Sequence, residues 1–227
     1  MKKIITMALC LVSIALGAQS KFDNRPDRPF FVSVQGGLLV SVNENAFSYV
    51  NSGRFADLIT AQGSAQVGVY ISDHFLTRIS VGYGGNASAA NTEDTAARGF
   101  YPYRFKSVNL FWDFGFDFLN RNTTSSIFLP RIYLGLGYAH TFGFTDSGHP
   151  WQTIKGNNNA FGFRLGFMGE FQLSPVFSVI LDLAGEAYGD WYNGLQPSAS
   201  DQKLKDGYAG FPFDLRACAS AGVLFHF

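Results

Sequence analysis

The sequence predicts an all-β fold. Eight antiparallel strands in up-and-down order close into a barrel that spans a membrane, with short turns at one end and four long loops at the other. Three observations carry this. Beyond residue 30, apolar residues alternate with small or polar ones, the period of a strand whose two faces meet different surroundings. Only 15% of the 227 residues are charged, while 16% are aromatic, with 24 Phe and 25 Gly. A soluble domain carries roughly 25% charged residues. Beyond the N-terminus, no apolar run reaches the ~18 residues of a membrane helix, so any crossing is made by strands. The formal charge is zero, 17 basic against 17 acidic residues, which argues against a nucleic-acid partner.

The chain opens on a basic Met1-Lys2-Lys3, an apolar run from Ile4 to Leu16, and the small residues Gly17-Ala18-Gln19-Ser20. This layout predicts a secretory signal peptide over residues 1–20, cleaved near Ser20, with Ala18 the other candidate. Cys10 lies inside the apolar run, so a lipoprotein signal is not expected. Removing Lys2 and Lys3 leaves 15 basic against 17 acidic residues, and Cys218 is then the one cysteine, with no disulfide available.

A polar lead over residues 21–29 gives way to the barrel, residues 30–227. In the first strand Phe30, Val32, Val34, Leu38, Val40 and Val42 share a face against Ser33, Gln35, Gly37 and Ser41. The second sets Ala65, Val67, Val69 and Ile71 against Ser64, Gln66 and Gly68; the third sets Phe75, Ile79, Val81 and Tyr83 against Arg78, Ser80 and Gly82. In the fourth, Val108, Leu110, Trp112, Phe114 and Phe116 oppose Ser107, Asn109, Asp113, Gly115 and Asp117. The fifth opposes Ile132, Leu134, Leu136 and Tyr138 to Arg131, Tyr133, Gly135 and Gly137. The sixth opposes Phe161, Phe163, Leu165, Phe167 and Phe171 to Gly162, Arg164, Gly166 and Glu170. The seventh opposes Phe177, Val179, Leu181 and Leu183 to Ser178, Asp182 and Glu186. The eighth runs Leu215, Ala217, Ala219, Ala221, Val223, Phe225 and Phe227 against Arg216, Cys218, Ser220, Gly222 and His226. Residues 72–74, 120–128 and 174–175 read as the shorter turns; residues 43–62, 85–102, 143–159 and 189–212 read as the long loops.

The faces decide the class. A soluble barrel points its bulky apolar residues inward, but the interior of an eight-stranded barrel has room only for side chains to fill it. The Phe- and Leu-rich face is too large for that interior and suits lipid. The face of Gly, Ser and scattered charges suits a narrow lumen.

The signal layout, eight strands, alternating loop lengths and the ending Ala221-Gly222-Val223-Leu224-Phe225-His226-Phe227 resemble the small outer-membrane barrels of Gram-negative bacteria, the OmpA-like, porin-like barrel family. The resemblance implies periplasmic short turns, extracellular long loops and a location in the outer membrane. It also implies contact with membrane lipid and lipopolysaccharide, and biogenesis through periplasmic chaperones and the barrel-assembly machinery. Val223, Phe225 and Phe227 match the C-terminal signal that machinery reads. The chain ends at Phe227, so no C-terminal peptidoglycan-binding domain is expected.

The inward charges are the candidate site. Counted from the short-turn ends, Arg78, Asp117, Arg131 and Glu170 fall at similar heights, and Arg164, Glu186 and Arg216 fall higher in alternating sign. Asp113 and Asp182 fall between the two groups. A buried charge needs a partner, so these residues are expected either to pair and plug the barrel or to line a gated pore. The plug is favoured because eight strands leave little space for a water column.

Arg104 and Lys106 are expected at the upper lipid-facing rim near His140, where an anionic glycolipid would attract them. Asp190, Trp191, Tyr192, Tyr208 and Phe211 place aromatics in the last long loop, where an extracellular ligand would bind. An outer-leaflet lipid-modifying enzyme would want a Ser beside His140, and none shares its face; the sequence also has no G-x-S-x-G, HExxH, P-loop or zinc-ligand spacing. No cofactor, metal or catalytic residue is therefore expected. The sequence favours a structural, loop-presenting barrel, with a narrow porin or an OmpW-like conduit for small solutes as the alternative.

Overall fold

The computed structural model describes residues 28–42, 51, 53, 55–88, 103–124, 126–146, 158–189 and 213–227. The signal segment, residues 21–27 of the lead and most of the four long loops lie outside the described residues, as do the loop aromatics named above. Among the described residues no helix is long and apolar enough to cross a membrane.

Eight strands form the structure: β1 Phe30–Val42, β2 Ile59–Tyr70, β3 Phe75–Ser88, β4 Tyr103–Asp117, β5 Phe128–Asp146, β6 Asn158–Ser174, β7 Phe177–Gly189 and β8 Phe213–His226. Each pairs antiparallel with its sequence neighbour, and β8 pairs with β1 to close the barrel. The closure continues past β8: Phe227 N–H donates to Phe30 O (2.9 Å), and Phe30 N–H donates back (3.3 Å).

Several strands run further into the loops than alternation indicates. β2 begins at Ile59 after a short 3-10 turn, Phe55–Leu58, and β5 continues to Asp146. Alternation marks only the stretch with lipid on one side. Above it, Thr60 and Gln62 are polar and carry no such contrast, yet the backbone ladder continues.

One row of paired residues shows the geometry. Phe31 faces Gly68, then Arg78, Asp113, Gly135, Arg164, Glu186, Arg216 and finally Ser41, ten residues further along β1. That offset is the barrel's shear and requires strands tilted by about 40°.

The outward face is apolar on every strand, with Phe161, Phe163 and Leu165 of β6 among its most exposed residues. Aromatic pairs collect at the short-turn end, Phe75 with Phe116, Phe128 with Phe171 and Phe177 with Phe225, at ring separations of 5.2, 4.9 and 5.3 Å. Tyr138 with Phe161 and Tyr83 with Phe142 lie toward the other end.

The lumen is not only small and polar. Phe31, Leu76, Tyr133, Met168, Ile180 and Leu224 all point inward and pack as one buried cluster. Lumen glycines make room for such side chains. A Cβ on Gly166 would run into the Tyr133 ring, one on Gly137 into Phe111, and one on Gly162 into Tyr188. Each glycine pairs directly across the ladder with the aromatic residue that covers it.

Candidate functional site: the charged lumen

Each of those aromatic rings carries an arginine. The Arg78 guanidinium carbon stands 4.0 Å from the Tyr133 ring centre, Arg164 4.1 Å from Phe111, and Arg216 4.5 Å from Tyr188. Glycine, ring and cation thus stack inward from the wall. The planar guanidinium offers its face to the ring and keeps its edge for carboxylates.

The carboxylates gather in two tiers. In the upper tier Arg78 Nε donates to Asp113 Oδ2 at 2.8 Å, and Arg164 Nε donates to Asp113 Oδ1 at 3.1 Å. Arg164 Nη2 makes a second, shorter bond to Asp113. Asp113 is fully buried and is held by two arginines from strands on opposite sides of it. Asp182 accepts from the Tyr133 hydroxyl at 2.6 Å and lies 3.7 Å from Arg78 Nη2. Glu186 accepts from Tyr188 at 2.9 Å, lies 3.8 Å from Arg164, and pairs across the ladder with Arg216. Arg216 Nη1 also reaches Ser107 Oγ at 3.4 Å.

In the lower tier Arg131 forks onto Asp117, its ladder partner, and reaches Glu170 at 3.3 Å. Glu170 receives a second fork from Arg121, with both bonds at 3.2 Å, together with the Ser178 hydroxyl at 2.8 Å and His226 Nε2 at 2.9 Å. Tyr70 lies under Arg121 at 4.1 Å, and its hydroxyl bonds both Arg121 and Arg131. Met168 separates the tiers, its sulfur 3.7 Å from Arg78 Nη1 and 3.5 Å from Arg131 Nη1.

The geometry corrects one sequence expectation: Arg78 is not level with Asp117. The tilt carries it to Asp113 and the upper tier, whereas Asp117, Arg131 and Glu170 meet at the base. Counting from turn ends ignores the shear accumulated between β3 and β6. Arg164, Glu186 and Arg216 are successive members of one ladder row.

Arg121 is a member of the site that the sequence pattern does not mark. It lies in the β4–β5 turn, where a charged residue reads as solvated, yet its side chain enters the base of the lumen and is 9% exposed. Burial opposes its charge, but Tyr70 and Glu170 more than offset this and hold its pKa above the ordinary value. The turn is held in place by Asp73 of the β2–β3 turn, which accepts from Asn120 at 3.0 Å, from Asn122, and with its carbonyl from Arg121 N–H at 3.3 Å. The signal that could have found it is Asn120, whose side chain caps Asn122 and Thr123 N–H (2.9 and 3.1 Å) and so fixes a folded turn.

At the lipid-facing rim, Lys106 is exposed on β4, while the Arg104 side chain lies outside the described residues. His140 bonds Asn159 Oδ1 at 2.7 Å, and Tyr138 donates to the same oxygen. At the other end of the barrel Val223 and Phe225 of β8, and Phe227 just past its end, alternate with the buried Leu224 and His226.

No protein-family model matches the sequence, and no curated protein matches it. Solved structures do. A major outer membrane protein from Thermus thermophilus aligns over 87% of this chain and 99% of its own, with TM-score 0.51 and 15% identity. The outer membrane protein OprG from Pseudomonas aeruginosa aligns over 90% and 99%, with TM-score 0.51 and 10% identity. At these identities the likeness is one of fold: the chain has the eight-stranded barrel of outer-membrane proteins.

Proposed function

We propose that this protein is an outer-membrane barrel with a structural, envelope-stabilising role, one that presents its long loops at the cell surface and has a lumen closed by its own ion pairs. The observation that carries the reading is the filled lumen. Fully buried Arg78, Arg131, Asp113, Asp117 and Glu170 are engaged with one another, and the chamber left beside Arg164, Asp182 and Glu186 measures about 30 Å³. So small a space beside interlocked ion pairs supports a lumen closed to steady ion flow.

Refolded protein in planar bilayers is expected to give no steady ion conductance. Steady conductance that changes on Arg164→Ala would overturn the closed-lumen reading. Residues 1–20 act as the export signal in this proposal, and N-terminal sequencing of protein recovered from the outer-membrane fraction should begin just after Ser20.

The same reading assigns lipopolysaccharide contact to Arg104 and Lys106, and recognition by the barrel-assembly machinery to Val223, Phe225 and Phe227. Exposure of Lys106 and the unbroken outward row on β8 support these roles. Arg104→Ala/Lys106→Ala should weaken the dependence of folding on lipopolysaccharide; folding unchanged by the pair would remove that contact from the account. An extracellular ligand would belong to the long loops.

A further inference from the structure

Among the described residues His226 is the one imidazole inside the lumen, buried at the foot of β8. Its partners fix its proton. Glu170 Oε1 lies 2.9 Å from Nε2, and a carboxylate only accepts, so Nε2 carries the hydrogen. Ser178 Oγ is 3.2 Å from the same nitrogen but turns its own hydrogen to Glu170 Oε1 at 2.8 Å. Arg121 Nη2 sits against the ring edge, 2.8 Å from Nε2 and 3.1 Å from Nδ1. A guanidinium only donates, and of the two nitrogens Nδ1 alone has a lone pair to accept. The ring is therefore neutral in this arrangement. A proton added to Nδ1 would set N–H against N–H and two cations side by side.

The surrounding charges lead to the same point. Around His226 stand two carboxylates, Glu170 of β6 and Asp117 of β4, and two guanidiniums, Arg131 of β5 and Arg121 of the turn. Tyr70 of β2, 6.2 Å away between ring centres, Ser178 of β7 and Phe31 of β1 bring no charge. A neutral His226 leaves this group balanced, and a charged one puts three cations on two carboxylates. Arg131 is bound to a strand and fully buried, whereas Arg121 comes from a turn and its side chain already touches solvent.

We propose that His226 is a proton-operated latch for Arg121: a protonated ring stays on Glu170 as an imidazolium, and the Arg121 side chain swings out of the base of the barrel. The turn itself stays, because Asp73 holds it through Asn120 and Asn122. His74, the other imidazole at this end, donates from Nδ1 to the Asp117 carbonyl at 2.8 Å, a bond that its charged and neutral rings make alike. The closed arrangement takes the neutral His226 ring and the open one the charged ring. Closure is thus complete above the imidazole range and is lost as pH falls through it. The proposal goes beyond the closed-lumen reading, since the upper tier holds no imidazole and keeps its pairs in both states.

Solution NMR of the full barrel, refolded in lipid nanodiscs and titrated from about pH 7.5 to about pH 5, covers that range. At the upper end the imidazole nitrogen shifts of His226 should report the Nε2–H tautomer, and Arg121 Nε should give the heteronuclear NOE of a rigid group. On acidification Arg121 should lose that NOE at the midpoint where His226 takes its proton, while Arg131 stays rigid. His226→Gln keeps a donor for Glu170 and an acceptor for Arg121 but takes no proton, so its Arg121 should stay rigid throughout. If that variant fails to fold, coincidence of the two wild-type midpoints decides the matter. Arg121 that stays rigid in the wild type, loosens away from the His226 midpoint, or loosens equally in His226→Gln overturns the latch.

Discussion

Asp113 shows how much one lumen residue carries. It is fully buried, and Arg78 and Arg164 both make their closest ion pairs with it, Asp182 and Glu186 standing further off at 3.7 and 3.8 Å. Asp113→Ala should therefore cost more than a broken surface pair: about 3–5 kcal/mol, the usual penalty for stranding a buried charge. The lowered urea midpoint of protein folded in vesicles would measure it. Asp113→Asn keeps the shape and some hydrogen bonding and should lose less.

On the opposite face Trp112 poses the same problem in lipid. Its indole N–H donates to Thr77 Oγ1 at 2.7 Å, and that hydroxyl donates to the Asp113 carbonyl at 3.1 Å. Hydrocarbon supplies no substitute acceptor. Thr77→Val should destabilise by about 1–3 kcal/mol, and Trp112→Phe in the same chain should recover most of that loss. A double-mutant cycle with no coupling would show that the N–H finds another partner.

Among the elements, the β4–β5 turn and the lower tier form one unit. Arg131 is the ladder partner of Asp117, whereas Glu170 keeps Arg131, Ser178 and His226 when Arg121 is removed. Arg121→Ala should accordingly cost about 1–2 kcal/mol, and Arg131→Ala about 3–5 kcal/mol, by the different penalties of a lost bond and a stranded charge. Thermal unfolding followed by gel mobility would rank the two, and equal losses would mean the turn is as essential as the strand.

Glycine substitution tests the stacked wall. Gly137→Ala puts a methyl where the Phe111 ring lies, so the ring must move and take Arg164 with it. Overpacking of this kind costs about 1–3 kcal/mol. Gly82→Ala, with open space at the same depth of side chain, should be close to neutral in the same assay.

Much of this was legible in the sequence because lipid imposes a period of two. Val108, Leu110, Trp112, Phe114 and Phe116 announce β4 and its outward face without any knowledge of the partner strands. Phe31, Met168, Ile180 and Leu224 were harder to read. Each is an apolar residue on a largely polar face and looks like an interruption until closure brings them together. Arg121 was hidden for the opposite reason, since Asn120 marks a folded turn without saying which way the next side chain points.

At the scale of the whole molecule, strand number and order follow from the sequence, while heights do not. Strand number follows from alternation and turn spacing; shear is fixed only by how all eight registers add up around the circle. That is why Arg164, Glu186 and Arg216 align as counted on adjacent strands, and why Arg78 does not meet Asp117. A closed ladder also predicts bulk behaviour: unheated protein in detergent should run on gels at a different apparent size from boiled protein. Identical mobility would count against a stable closed sheet.

The charged row along the ladder has a consequence for assembly fidelity. Backbone hydrogen bonds cannot tell a correct pairing from one displaced by two residues, because both keep every side chain on its proper face. The row can. Glu186 lies opposite Arg216 in the native register, and a two-residue displacement of β8 in one direction sets it against Asp214 instead. Opposed sign therefore works as a parity check where charged strands adjoin, β3 with β4 and β6 with β7 and β8: a pairing displaced that way exposes itself as like charges confined in a dry space.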